Sequence, residues 1–167
     1  MNLSRIAVRH WIVAKTVRTY GTDPPEADLL GVTLAYPVPA DTEFPGERRY
    51  VCLYLSYTAH NAGTTSFLIQ AHYERRSDEW KLVMQLGDDG RPINLPDDQS
   101  VDRVEVFRVP YIRLPGPGLY AVSIFFRSTD DAPTDDEPTE EPFPTPWDPA
   151  ESGWVFGAVD YFLVPRP

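Results

Sequence analysis

The chain has 167 residues, 42% hydrophobic and 13% aromatic, enough to bury one core and too apolar to stay disordered as a whole. Its formal charge is −10, yet nine of its 25 acids crowd between Ser128 and Ser152, leaving 16 acids against 15 bases elsewhere. A near-neutral body with no basic stripe argues against a nucleic-acid partner, and a single cysteine excludes an internal disulfide framework.

At the start, "MNLSRIAVRHWIVAKTVRTY" offers no signal-peptide core, because Lys15 breaks the uncharged run from Trp11 to Ala14. No segment approaches the roughly 20 apolar residues of a membrane span, so a cytoplasmic protein without a membrane partner is expected. "IAVRHWIVAKTVRTY" is rich in β-branched and aromatic residues and predicts one strand, followed by a turn at "GTDPPEAD". "GVTLAYPV" predicts a short strand closed by Pro37 and Pro39. In "RRYVCLYLSYT", Val51, Leu53, Leu55 and Tyr57 share one face at period two. Cys52 lies in this strand and reads as a small packed side chain, since no histidine-and-acid relay accompanies it.

After a turn at "AHNAGT", the strand "SFLIQAHYERR" sets Phe67, Ile69, Ala71 and Tyr73 against Gln70, His72 and Glu74. "EWKLVMQL" sets Trp80, Leu82, Met84 and Leu86 against Lys81, Val83 and Gln85, and Asp89-Gly90 then supplies a tight turn. "VDRVEVFRV" and "YIRL" flank Pro110, which suits an edge strand or a strand break. "LYAVSIFFRS" and "GWVFGAVDYFLV" are the last two predicted strands. No run of about ten residues carries a capped 3.6-residue period. The expected fold is all-β: one antiparallel Greek-key β-sandwich, immunoglobulin-like, of about eight strands over residues 1–167.

Within "IRLPGPGLYAVSIFF", Pro117, Gly118 and Tyr120 resemble the tyrosine corner of Greek-key sandwiches, in which a tyrosine hydroxyl returns to upstream backbone. Together with "FPGERRY" and the "DDGRPI" turn, this stretch resembles a family of small bacterial β-sandwich proteins of uncharacterised function. The resemblance covers roughly Gly31 to Phe126 plus the final strand, and implies a fold without implying a site.

Chemistry-bearing residues are sparse. His72 and Glu74, at i and i+2, are too few for a metal site and read as a solvated strand face. His60 falls in a predicted turn, and His10 beside Trp11 reads as a packing residue. No serine sits in a nucleophile elbow, "LPGPG" precedes no helix that would cradle phosphate, and "DDAPTDDEPTEEP" lacks the spacing and glycine of a calcium loop. No enzyme activity, cofactor or metal is expected.

The stretch 128–152 stands apart. It has six prolines, no base, and a position between the final two strands, where a hairpin needs only about two to five residues. It reads as an acidic, proline-rich insertion loop, extended by charge repulsion and proline. Phe143 and Trp147 sit four apart within it, among Asp135, Asp136, Glu137, Glu140 and Glu141. Large rings set in acid and proline suit a segment that docks into a protein groove near a basic surface. The competing expectation is that both rings fold back onto the protein's own sheets. The leading expectation is a non-enzymatic protein-binding β-sandwich. The alternatives are a homo-oligomeric assembly protein and a small-ligand or carbohydrate binder with an aromatic face.

Overall fold

The computed structural model describes residues 6–21, 26–32, 35, 38, 41–60, 63–76, 79–87, 91–93, 100–128 and 154–166. Their regular elements are all strands: β1 (Ile6–Ala14), β2 (Thr16–Tyr20), β3 (Glu26–Leu30), β4 (Gly46–His60), β5 (Gly63–Arg76), β6 (Glu79–Gly87), β7 (Arg91–Ile93), β8 (Ser100–Leu114), β9 (Gly118–Ser128) and β10 (Val155–Val164). A smaller sheet runs β1-β4-β8, and a larger one runs β10-β9-β5-β6 with β7 also paired to β5. The pair β2-β3 forms a separate ribbon. Every strand pairing is antiparallel, and one isolated parallel bridge joins Ala35 to Leu163. Among the described residues no ladder joins the two main sheets, so they do not close into a barrel.

Alternation carries the core. Leu53, Leu55 and Tyr57 of β4 face Phe67 and Ile69 of β5 and Val122, Ile124 and Phe126 of β9 in one buried cluster. Phe67 is its hub, edge-on to Tyr57, Phe107 and Phe126 with centroids 6.0, 5.8 and 5.4 Å away. Such tilted ring contacts add about 0.5–1.5 kcal/mol per pair beyond burial. Two buried or half-buried hydrogen bonds also cross between the sheets. The Trp11 indole N–H donates to the Val122 carbonyl at 2.8 Å, and the Val13 N–H donates to Asp160 Oδ2 at 2.8 Å. Asp160 is an inward-pointing acid on an edge strand, and it satisfies a backbone donor on the edge of the other sheet.

Several expectations are corrected. The predicted first strand breaks at Lys15, where the chain leaves the smaller sheet and enters the ribbon. The predicted turn "GTDPPEAD" holds the start of β3, whose Ala27 and Leu29 are half-buried between exposed Glu26, Asp28 and Leu30. Acidic residues on the solvent face masked that alternation. Lys15 N–H donates to Leu30 O at 3.1 Å, and Gly31, at φ +68°, passes where a Cβ would lie 2.7 Å from Lys15 Cβ. Of the predicted strand "GVTLAYPV", only Ala35 pairs among the described residues. Of the two positions expected to suit Pro110, the edge strand is the one found: β8 is an edge of its sheet, and its ladder resumes at Tyr111 opposite Arg49.

The single predicted face of β6 is also split. A register shift against β5 between Ala71 and His72 leaves Met84 and Leu86 packed on the core and Leu82 45% exposed. One extra residue in a ladder turns every later side chain to the opposite face.

A second shift, between Phe156 and Ala158 in the β9-β10 ladder, falls at Gly157. A Cβ there would lie 2.1 Å from Cε2 of the Phe126 ring. Phe126 packs edge-on against Phe67 within the buried cluster, so a shift of its ring disturbs the core. Gly157→Ala is therefore expected to destabilise the fold by about 1–3 kcal/mol, read as a lower urea midpoint with an unchanged slope.

Candidate functional site

Of the acidic segment 128–152, only Ser128 is among the described residues. Asp135, Asp136, Glu137, Glu140, Glu141, Phe143 and Trp147 lie outside the described residues. β9 and β10 run side by side with Val155 opposite Phe126. Just before β10, the Trp154 ring lies 4.7 Å beneath the Arg127 guanidinium carbon.

At the other end of β9 stands the proline-glycine corner. The Tyr120 hydroxyl donates to the Gly116 carbonyl at 2.6 Å, and the Tyr73 hydroxyl donates to the Pro117 carbonyl at 3.3 Å. The Tyr120 ring stacks on Phe162 at 4.9 Å. Gly118, at φ +151°, lets Tyr73 approach to where a Cβ would be 2.9 Å from the ring. Burial pushes the Tyr120 phenol well above its ordinary range, opposed by the Gly116 bond and reinforced by Tyr73. It stays a protonated donor that clamps the passage from β8 to β9, which is a structural role.

The larger sheet has a second face, turned away from the shared core, and here His72 departs from expectation. It is not a solvated residue. His72 is 5% exposed, its neighbour Gln70 1% and the facing Ser123 0%. The ladders place Val159, Ser123, Gln70 and Gln85 in one row across the four strands. Phe156, Phe125 and Leu68 form the row on one side, and Tyr161, Ala121, His72 and Leu82 form the row on the other. Phe125 and Phe156 meet edge-on at 5.8 Å.

Trp80 and Tyr161 come from the two outermost strands, β6 and β10. Three ladders separate those backbones, about 14 Å. The ring centroids are nevertheless 6.5 Å apart, so both rings lean inward over β5 and β9 and roof the region of His72 and Ala121. These rings contribute cover to a histidine on a face that the sequence pattern marks as polar.

Gln70 donates from Nε2 to Gln85 Oε1 at 3.2 Å. Gln70 Oε1, Ser123 Oγ and His72 Nδ1 are buried without a hydrogen-bond partner among the described residues. Burial holds the His72 imidazole well below its ordinary range, at about 4, so it is neutral at pH 7. Glu74, one row further along β5, is half-buried.

The other candidates disperse. His10 and His60 are exposed, at the outer face of β1 and the end of β4, and Cys52 is half-buried. On the same side of the smaller sheet, Arg9 Nε donates to Thr58 Oγ1 at 2.9 Å, and Thr58 donates to Asp102 Oδ1 at 2.7 Å. Arg9 also pairs with Asp102 at 3.0 Å, an exposed cross-strand contact of modest worth. Among the described residues no group of three or more histidine, cysteine or acidic side chains could hold a metal ion, and no helix is long and apolar enough to cross a membrane.

Comparison of the chain with protein-family models, curated proteins and solved structures finds no match.

A His72 that is neutral when folded and ordinary when unfolded makes stability depend on pH. The unfolded side chain takes up a proton near the ordinary histidine value of 6.5 and the folded one only at about 4. The contribution is complete above the upper value and is lost as pH falls toward the lower, by up to about 3 kcal/mol. Carboxylates as a class also titrate at the acid end. The measurement is therefore the difference between the native chain and His72→Gln in urea unfolding across that window. The variant is expected to lose less stability on acidification.

Proposed function

We propose that this chain is a non-enzymatic protein-binding β-sandwich of Greek-key, immunoglobulin-like connectivity, acting in the cytoplasm, with the acidic stretch 128–152 as its recognition segment. The connectivity supports the fold part. β4 and β5 follow one another yet belong to different sheets, as do β8 and β9, while β4 ladders with β8 and β5 with β9. Such crossings between two antiparallel sheets are compatible with the connectivity of Greek-key sandwiches.

One observation carries the functional part. The facing ends of β9 and β10 are register neighbours, with Val155 opposite Phe126, so a turn of about two to five residues would join them. The chain spends far more there, and fills the excess with nine acids and with Phe143 and Trp147. Asp135, Asp136, Glu137, Glu140 and Glu141 would steer the segment to a basic protein surface, and the two rings would supply the anchoring contacts.

A second reading, self-association into an assembly, draws on exposed Val155 and Phe156 of β10 and exposed Leu82 of β6, all on edge strands of the larger sheet.

Three baits separate these readings: the full chain, a version lacking Asp130 to Glu151, and Phe143→Ala/Trp147→Ala. A partner with a basic surface is expected to bind the full chain and to lose at least about tenfold in affinity for the double variant, with thermal unfolding unchanged. Equal retention by all three would remove the segment from recognition. A stable dimer formed by both the full and the shortened chain in light scattering would favour the assembly reading.

A further inference from the structure

The outer face of the larger sheet combines three features that belong together chemically. The first is unmet hydrogen-bonding capacity at its centre. Gln70 Oε1, Ser123 Oγ and His72 Nδ1 come from directly opposed or diagonal positions of β5 and β9, and each is buried without a partner among the described residues. Buried polar atoms left unpaired are costly, so a guest that pairs with them gains a local preference for this spot.

The second feature is the kind of group offered. An amide oxygen accepts, a hydroxyl both donates and accepts, and a neutral imidazole nitrogen does either according to its tautomer. A set of this kind is complementary to alcohol hydroxyls, which also donate and accept. The centre carries no formal charge, since Gln85, Gln70, Ser123 and Val159 fill its row. The charged side chains that face it stand off to the two ends. Glu74 is in the row beyond His72, and Arg127 is engaged over Trp154 in the row beyond Phe125. An ionic guest would be desolvated there without a counter-charge.

The third feature is the pair of aromatic walls. Trp80 with Tyr161 bounds one side of the polar row, and Phe125 with Phe156 bounds the other. Rings bordering a few convergent neutral polar groups are how proteins hold small ligands that are apolar on one side and polar on the other.

We propose that this outer face, centred on Gln70, Ser123 and His72 and bounded by Trp80 and Tyr161, is a binding site for an uncharged, hydroxyl-rich ligand of the carbohydrate class. Ligand hydroxyls meet the three unpartnered atoms, and the apolar face of a sugar ring rests on Trp80 and Tyr161. Admission of the ligand parts the contact between those two half-buried rings, a motion of side chains on the outermost strands. Glu74 stands ready as a further acceptor at the rim. The site shares no residue with the 128–152 stretch, so it stands or falls separately from the protein-binding reading.

The test uses the full chain, labelled for side-chain amide and indole signals, and titrated at millimolar concentration with glucose, galactose, mannose, N-acetylglucosamine and their short oligomers. At least one saccharide is expected to shift the Gln70 and Gln85 amide signals and the Trp80 indole signal together. Trp80→Ala and Ser123→Ala are each expected to weaken that binding by at least about tenfold, while Phe143→Ala/Trp147→Ala leaves it unchanged. Should Trp80→Ala fail to fold, Ser123→Ala deletes a single hydroxyl and gives the same reading. The proposal is overturned if no saccharide in the panel moves the Gln70 amide signal, or if a shift persists undiminished in Ser123→Ala.

Discussion

Among the described residues the two main sheets share no strand ladder, so their mutual position depends on a seam of aromatic rings. Trp11 lies edge-on to Phe107 at 6.3 Å, Phe107 to Phe67 at 5.8 Å, and Phe67 to Phe126 at 5.4 Å. The seam draws on β1, β8, β5 and β9, two strands from each sheet. The Trp11 indole N–H ends on the Val122 carbonyl of the opposite sheet. Ring burial supplies the non-directional attraction, and that bond supplies direction. Asp160 adds a polar tie at the margin, where the edges of β10 and β1 approach.

Once the seam fixes the inner face of β5 and β9, alternation leaves their other face no choice of residues. Gln70, His72, Ala121, Ser123 and Phe125 must turn away from the seam because Phe67, Ile69, Val122 and Ile124 turn toward it. That second face is buried as well, and it keeps the polar groups there away from water. A depressed histidine pKa and the unpartnered atoms beside it are consequences of the same arrangement. The chemistry of the outer face thus follows from the packing of the inner one.

Much of the fold was legible because its strongest signals are local. The period-two pattern of Val51, Leu53, Leu55 and Tyr57, and that of Phe67, Ile69 and Ala71, required no knowledge of what lay opposite. Tyr120 two residues after Pro117-Gly118 suggested a hydroxyl returned to upstream backbone, and Gly116 is the acceptor found. Less was legible where two signals competed. Glu26 and Asp28 made β3 look like a turn, although Ala27 and Leu29 alternate beneath them. The bulge beside His72 redirected Trp80 and Leu82, and a one-residue slip has no mark in composition. The candidate outer-face site was hidden for the same reason. His72 and Glu74 at alternate positions read as a wet face, and nothing local reveals that a tryptophan and a tyrosine from distant strands meet above it.

By itself the sequence determined the all-β character of this protein, the inner faces of its central strands, the corner at Tyr120 and the separation of an acidic, proline-rich stretch from a near-neutral body. These depend on short-range backbone preference, on side-chain period and on composition, which are written along the chain. Tertiary structure alone decided which strands share a sheet, which edge residues cross between sheets, and that His72, Gln70 and Ser123 are buried together. Those outcomes depend on contacts between residues separated by dozens of positions, among them Trp80 with Tyr161 and Val13 with Asp160. Such contacts exist only after the chain has folded back on itself, so no local pattern can encode them.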